Sequence, residues 1–485
     1  MRRATRLAVF LTLTGCAIGP NYHRPPAIVP TQYKELSGWV AAQPRAEISR
    51  GAWWSIYHDP TLDKLEAHVN VSNQTVRAAA DAYLEARALV NEARAGLYPS
   101  FGTNAGVVRQ SSSRSSIGAG GNFSPASITT TTNTLEGTGA WDLDLWGKIR
   151  RQIQSSVAAA QASAADLASA ELSAQAALAS DYFQLRAADA QKTLLRATVA
   201  AYRRSLRITE NQYAAGTAAR SDVLAAEVQL QNAEVAAINA GVARAEFEHA
   251  IAVLIGKPPA DLTIPPGRLA STVPVVPAGV PSTLLERRPD IAAAERTMAE
   301  QNALIGVQIA AYYPDITLSG LFGYVGNPID SLVKAANRVW SLGAAATATL
   351  FNGGARSAAV AAQRAVYDQS VATYRATVLS AFQGVEDQLS SLRILSAVAK
   401  VQDTAVASAK EALAITLNEY KAGTVTYTSV VVAQATLLAD QENAIAIRQN
   451  RLLASVSLVE NLGGGWSTSN LPGANQLQRS NPLLP

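Results

Sequence analysis

Between Lys148 and Ala215 the chain runs without a proline or a glycine, and this stretch limits the fold more than any other. Its apolar residues Ile153, Val157, Ala160, Ala164, Leu167, Ala174, Leu178 and Leu185 step by threes, fours and sevens, interrupted by Glu171, which is the period of an amphipathic helix. At 1.5 Å per residue the run predicts a rod of about 100 Å. Such a rod cannot be packed inside a globule and needs neighbours of similar height. Alanine at many seam positions supplies small knobs, which favour close approach of those neighbours over a thick leucine core. The run from Ala355 to Ala422 has the same length.

The two rods belong to an internal repeat. Ile208-Thr209-Glu210-Asn211-Gln212-Tyr213-Ala214-Ala215-Gly216-Thr217 returns 207 residues later as Ile415-Thr416-Leu417-Asn418-Glu419-Tyr420-Lys421-Ala422-Gly423-Thr424. Leu145-Trp146-Gly147 returns near Leu350-Phe351-Asn352-Gly353-Gly354, Leu254-Ile255-Gly256 near Asn461-Leu462-Gly463, and Tyr98-Pro99 as Tyr313-Pro314. The chain therefore reads as a tandem duplication with about 200 residues per unit. Each rod ends at a Tyr-x-Ala-Gly-Thr turn and resumes as a shorter helix, 217–255 or 424–462, of about 58 Å. Two further helical stretches, 62–96 and 282–311, run about 45 to 52 Å, so one shorter helix stacked on another matches a rod. These lengths predict a bundle of uniform height with continuous and broken rods side by side.

A second periodicity, of two, marks four strands of about ten residues. In Leu135–Leu145 the odd positions are leucine, glycine and tryptophan, while Glu136, Thr138, Ala140, Asp142 and Asp144 occupy the even ones. Trp340, Leu342 and Leu350 oppose Ser341, Thr347 and Thr349; Ile316, Leu318, Phe322 and Tyr324 alternate with Asp315, Thr317 and Ser319; Phe101–Val107 is the faintest case. After the amino-terminal apolar run no stretch of 18 apolar residues follows, so any crossing of a bilayer must be made by strands. Four strands cannot close a barrel, and open edges in lipid leave backbone groups unpaired. Copies must then pool their strands, two giving eight and three giving twelve; a soluble hairpin sheet resting on the helices is the other reading of the pattern. The Ser/Gly/Thr-rich Gln110–Thr132 is expected as a long external loop, with Gly326–Val339 as its shorter counterpart. Pro258–Pro281 holds seven of the 21 prolines and reads as the connector between the repeats. Residues 17–60 and 464–485 are expected to wrap the helical body.

Arg2, Arg3 and Arg6 precede the short apolar run Leu7–Leu13, the order of a secretory signal. The run ends in Leu13-Thr14-Gly15-Cys16, which resembles a bacterial lipobox, and Cys16 is the one cysteine of the chain. Cleavage before Cys16 would leave it acylated, each buried CH₂ adding about 0.8 kcal/mol of membrane affinity. Ala17 stands where an aspartate commonly retains lipoproteins at the inner membrane, so delivery to the outer membrane is expected. Composition closes other routes. With 41 Lys+Arg against 37 Asp+Glu spread evenly, there is no basic platform for nucleic acid. A single cysteine excludes intrachain disulfides, and His23, His58, His68 and His249 form no pair at metal-ligand spacing. No nucleophile elbow or phosphate-binding loop is present, Gly118–Gly121 preceding no helix, so the chain is not expected to be an enzyme.

These features together resemble the TolC-like outer-membrane efflux proteins, and among them the lipoprotein (NodT-type) branch that serves resistance-nodulation-division pumps. The resemblance rests on Cys-Ala-Ile-Gly-Pro-Asn-Tyr from Cys16, Trp53-Trp54, Leu-Ile-Gly-Lys-Pro-Pro from Leu254, Glu-Arg-Arg-Pro-Asp-Ile-Ala-Ala-Ala-Glu from Glu286, Tyr-Pro-Asp-Ile-Thr-Leu-Ser-Gly from Tyr313, Leu-Phe-Asn-Gly-Gly from Leu350 and Leu-Gly-Gly-Gly-Trp from Leu462. It implies a mainly α fold with a β membrane portion: duplicated helical hairpins in a trimeric periplasmic α-barrel, and four strands per protomer in a shared twelve-stranded barrel.

It also implies a passive exit duct for small toxic compounds or drugs, with an inner-membrane pump and a periplasmic adaptor as partners. No cofactor is implied apart from the lipid on Cys16. The turns at Gly216-Thr217 and Gly423-Thr424 would be the adaptor-docking tips. Asp222 and Tyr420 match a hydrogen-bonded pair that closes the family's inner hairpin. Val425 stands where relatives often place an arginine, and Ser429 and Val432 where many carry aspartates. The implied constriction is therefore lined by Thr428, Ser429 and Val432 and closed more by apolar contact than by an anionic ring. A type I secretion duct, or a periplasmic coiled-coil scaffold or adaptor lipoprotein, are the alternatives. The divisions expected are a signal peptide 1–15, a lipidated segment 16–60, a first repeat 61–257 with strands near 98–109 and 133–146, a connector 258–281, a second repeat 282–463 with strands near 313–325 and 339–351, and a tail 464–485.

Overall fold

The computed structural model describes residues 17–27, 29–36, 52–117, 123–274, 276 and 281–478; the signal segment and Cys16 lie outside the described residues. The first repeat holds α1 (Pro60–Ser72), α2 (Gln74–Ala95), β1 (Ser100–Ile117), β2 (Phe123–Leu143), α3 (Lys148–Ala214) and α4 (Arg220–Leu254). The second holds the short α5 (Leu284–Arg287), α6 (Pro289–Ala310), β3 (Asp315–Gly326), β4 (Arg338–Thr347), α7 (Ala355–Lys421) and α8 (Tyr427–Asn461). Both α3 and α7 have 67 residues and both α4 and α8 have 35, so the duplication extends to element length.

Local chemistry sets the helix ends. Asp59 accepts from the amides of Thr61 and Leu62 ahead of α1, with Pro60 in the first turn. The single helix expected over 62–96 is broken at Asn73, whose side chain caps α2 by accepting from Thr75 and Val76 and donates 2.8 Å to the Leu254 carbonyl. Asp144 accepts from the Ile149 and Arg150 amides at 2.9 Å each, placing a carboxylate on the amino end of the α3 rod. Pro289 likewise divides the helix expected over 282–311 into α5 and α6.

Near the sheet, α3 packs against α2 and α6, and α6 packs against α7; towards the far end α3 packs against α4 and α8, and α8 against α7. The main core lies where these two sets meet. Trp53, Tyr182, Phe183, Leu178, Leu185, Ile251, Tyr374, Val385, Leu389 and Val459 are buried there. Extended segments wrap this level. The Arg24 guanidinium donates to the Tyr374 hydroxyl, the amides of Lys34 and Glu35 donate to Glu386, and Gln161 donates to the Pro472 carbonyl.

The connector is clamped by charge: Arg186 and Arg244 bond Asp189 at 3.0 and 2.8 Å, Arg244 bonds Glu248, and the Ile264 and Gly267 amides donate to Glu248 and Asp189. Gly267 lies so close to the Arg186 guanidinium that a Cβ would come within 2.6 Å of it.

The strands form one antiparallel sheet in the order β1-β2-β3-β4, leaving β1 and β4 as its edges. Here the loop expected over Gln110–Thr132 needs correction. β1 continues to Ile117 and β2 begins at Phe123, with Gln110 paired to Thr130 and Ser111 to Thr129. Only residues 118–122 fall between the strands, outside the described residues. β3 pairs with β2 only from Asn133 to Leu143, so the distal part of the β1–β2 hairpin projects beyond the four-stranded sheet.

Candidate functional site

The sheet has two chemically distinct faces. The pairings Phe101–Gly139, Leu135–Tyr324, Trp141–Leu318, Phe322–Trp340 and Gly320–Leu342 place these side chains on one face. They point to solvent in the single chain, with Phe101 83% exposed, Trp340 67% and Leu342 81%. The glycines admit the large groups: a Cβ at Gly139 would meet the Phe101 ring at 3.2 Å, and one at Gly320 would meet Leu342 at 3.3 Å. The opposite face carries Glu136, Thr138 and Asp142, the last accepting from Thr317 at 2.8 Å. At the helix-proximal end the Trp146 ring stacks on Tyr313 at 4.9 Å and donates to the Pro314 carbonyl, while Trp141 donates to the Leu97 carbonyl. An apolar band ended by amphipathic aromatics, backed by a polar face, is the pattern of barrel strands in a bilayer. No described helix is long and apolar enough to cross a membrane.

At the other end of the rods stand two matched turns. Gly216 has φ +74° and Gly423 has φ +76°, both with open space where a Cβ would sit, so these glycines serve the left-handed backbone and not close packing. The Thr217 amide donates to the Gln212 carbonyl at 2.9 Å and its hydroxyl to the same oxygen at 3.0 Å. Thr424 repeats both bonds on the Glu419 carbonyl, at 3.0 and 2.9 Å. Each is a Schellman closure reinforced by the threonine side chain. All four predicted tip residues are thus brought to these turns, and all four are exposed.

Directly above the turns lies a small core of Ala226, Tyr420, Tyr427 and Val430. The Tyr420 and Tyr427 rings meet at 5.3 Å. The expected hydrogen bond between Asp222 and Tyr420 is not made in the chain: the Tyr420 hydroxyl donates to Thr209 Oγ1 at 3.4 Å, and Thr209 in turn donates to the Ser205 carbonyl. Asp222 lies in the first turn of α4 and reaches Tyr420 only through its charge. Burial raises both tyrosines above their usual range, Tyr427 to about 12, and the Asp222 carboxylate adds to this by opposing a second negative charge. Thr428, Ser429 and Val432 lie on the exposed face of the first two turns of α8. The nearest acidic residue along α8 is Asp440.

Sequence reasoning missed a buried polar seam on α3. Thr198, Tyr202, Ser205 and Thr209 are buried at spacings of four, three and four, and Gln434 of α8 donates 2.8 Å to Ser205 Oγ. That spacing is the coiled-coil seam itself, occupied by hydroxyls in place of the alanines and leucines seen higher in the rod. Among the described residues no group of His, Cys, Asp and Glu could hold a metal.

A lipid-facing sheet with open edges, carried on a long helical shaft that ends in paired turns, defines a membrane-spanning duct. The profile of the outer membrane efflux protein family matches residues 68–257 and 280–464, and the chain belongs to that family. It is 29% identical over 462 residues to the toluene efflux pump outer membrane protein TtgC of Pseudomonas putida, covering 94% of this chain and 93% of the relative. It is 30% identical over 474 residues to the pyoverdine export outer membrane protein OpmQ of Pseudomonas aeruginosa, with 96% and 98% covered. The solved outer-membrane channel OprN superimposes with a TM-score of 0.85 at 27% identity, covering 93% of this chain and all of that one. The chain is therefore an outer-membrane efflux channel, spanning that membrane and extending into the periplasm, a conduit and not an enzyme.

Proposed function

We propose that three copies of the chain close a twelve-stranded barrel over a helical tunnel. Through it, small compounds delivered by an inner-membrane resistance-nodulation-division pump and its periplasmic adaptor leave the cell passively. The observation that carries this is the four-stranded sheet with an apolar face and two unpaired edges. Each edge strand in lipid would leave backbone groups unsatisfied at several kcal/mol apiece, and pairing β4 of one copy with β1 of the next removes every such edge. The apolar band stays continuous when even-numbered residues of β4 face odd-numbered residues of β1, since Trp340 and Leu342 lie on the same face as Phe101 and Val107.

The adaptor docks on the turns at Gly216-Thr217 and Gly423-Thr424, which present two nearly identical surfaces per copy. Cys16 carries the lipid anchor. The names of the relatives cite cargoes as unlike as toluene and pyoverdine at nearly equal identity to this chain, which favours selection of cargo by the pump over selection by the duct wall. The test is unheated against heated electrophoresis together with planar-bilayer recording of the purified lipoprotein. A heat-modifiable trimer with discrete conductance steps is expected; a monodisperse single copy without conductance overturns the reading. Globomycin is expected to make the precursor accumulate, and indifference to it removes the lipid from Cys16.

A further inference from the structure

Strand alternation assigns each residue of the sheet to one of its two faces, and the face turned to lipid holds few charges. Among the described residues of the four strands it carries no carboxylate and two cations, Arg109 of β1 and Arg338 of β4. Glu136, Asp142 and Asp315 all lie on the opposite face. Arg109 follows Val107 on that lipid-facing side of β1, and Arg338 precedes Trp340 on that side of β4. Both arginines are exposed, and no carboxylate of the described chain pairs with either.

Their heights agree. Arg109 stands nine residues from the helix-side end of β1 at Ser100, and Arg338 nine residues from the helix-side end of β4 at Thr347. A tilted strand crosses a bilayer in about 9–11 residues, so both arginines reach the far rim of the apolar band. A charge at that level escapes the cost of the hydrocarbon centre: its stem lies along the apolar wall while its head meets the headgroups. Because the helices extend into the periplasm, these are the headgroups of the outer leaflet.

β1 and β4 are also the two edges of the sheet. Two strands separate the arginines within one chain, whereas closing the ring sets Arg338 of one copy and Arg109 of the next on neighbouring strands. The wall above them has its own chemistry. The distal hairpin continues the lipid-facing side with Ser111, Thr129 and Thr131, where Arg109 pairs with Thr131 and Ser111 with Thr129. Hydroxyls over a pair of guanidinium groups match the hydroxyls and phosphates of a phosphorylated sugar, and they offer no apolar surface to an acyl chain at that level.

We propose that each seam between β4 of one copy and β1 of the next binds a phosphorylated glycolipid of the outer leaflet. Arg109 and Arg338 hold its phosphates, and the distal hairpin lines its saccharide. The proposal rests on the ring of copies proposed above, because one copy alone supplies only half of each site.

The test reconstitutes the full-length lipoprotein in phosphatidylcholine vesicles containing lipid A. Native mass spectrometry then counts the lipid A retained by the extracted trimer, with one molecule per seam expected. The Arg109→Ala, Arg338→Ala double variant is expected to retain at least tenfold less, and each single variant less than the unsubstituted protein. Lipid A stripped of its phosphates is expected to be retained at least tenfold less by the unsubstituted trimer, a comparison that decides the matter even where a variant fails to assemble. Phosphatidylglycerol at equal content is expected not to displace lipid A. Equal retention of the phosphate-free form, displacement by phosphatidylglycerol, or full retention by the double variant overturns the site and leaves the trimeric duct standing. Absence of an unheated trimer in the unsubstituted protein overturns the ring and the site with it.

Discussion

Glu66 of α1 is buried with neither carboxylate oxygen bonded to another group, and burial, helped by the nearby Asp63, raises it from 4.5 to about 9. The folded chain therefore holds this proton at neutral pH while the unfolded chain releases it. Stability from this group is complete below about pH 4.5 and falls as pH rises towards about 9. Glu66→Gln keeps the neutral form, so its melting temperature is expected to fall less than that of the unsubstituted protein between about pH 5 and 8. Parallel melting curves across that range would show that Glu66 is ionised in the fold.

The tip core gives a second residue-scale expectation. Asp222→Asn should leave single-channel conductance unchanged, because its carboxylate makes no bond to Tyr420. Tyr420→Phe should cost about 0.5–1.5 kcal/mol and Tyr420→Ala about 3–5 kcal/mol, the latter emptying the space beside Tyr427 and raising conductance. An Asp222→Asn channel that opens as widely as Tyr420→Ala would restore the carboxylate to the lock. Tyr420 itself was visible in the sequence through its match to the family's hydrogen-bonded pair. Its partner Thr209 was not, because a hydroxyl at a seam position looks the same in sequence whether it faces solvent or a tyrosine from the other repeat.

At the scale of elements the two repeats are held differently. The Asp189 carboxylate balances both Arg186 and Arg244 in the first repeat, against the connector. The positions 207 residues further on are Ser396, Arg393 and Arg451, so the second repeat keeps both arginines and lacks the acid. Arg393 instead meets Glu35 of the amino-terminal segment. Asp189→Ala is expected to cost about 3–5 kcal/mol by leaving the buried Arg186 without its acid while Arg244 keeps Glu248, and Arg393→Ala less than about 1 kcal/mol. Urea unfolding of both variants checks this; equal losses would mean that the two clamps are equivalent.

The α3 rod was legible because 68 residues without a breaker admit little else, and α7 followed through the repeat. The distal β1–β2 hairpin was not, since Ser and Thr on both faces give no apolar contrast for a period of two. The run of β-branched Thr129–Thr132 was the available signal, a propensity without a pattern. The breaks at Asn73 and Pro289 were likewise hidden by an apolar period that continues through them.

On the scale of the whole molecule, the first turns of α8 present Thr428, Ser429 and Val432 with no acid before Asp440. A trivalent cation added from the periplasmic side is therefore expected to reduce conductance by less than twofold, because the first turns of α8 supply no carboxylate to bind it. Strong block in planar-bilayer recordings would place an anionic ring elsewhere in the tunnel. Rod lengths alone indicated the bundle height, and four strands, too few to close a barrel, indicated pooling among copies; which two strands form the open edges needed the order β1-β2-β3-β4.

The equality of α3 and α7, 67 residues each, has a consequence for how such chains can change. Deleting one residue from either rod would turn everything beyond it by about 100° and swap its wet and packed sides. Seven removed from one rod alone would restore the facing but leave its turn about 10 Å short of the other's. Only paired cuts of a heptad from both, matched in α4 and α8, preserve a level landing surface, so length polymorphism among related chains should come in such quartets or be absent.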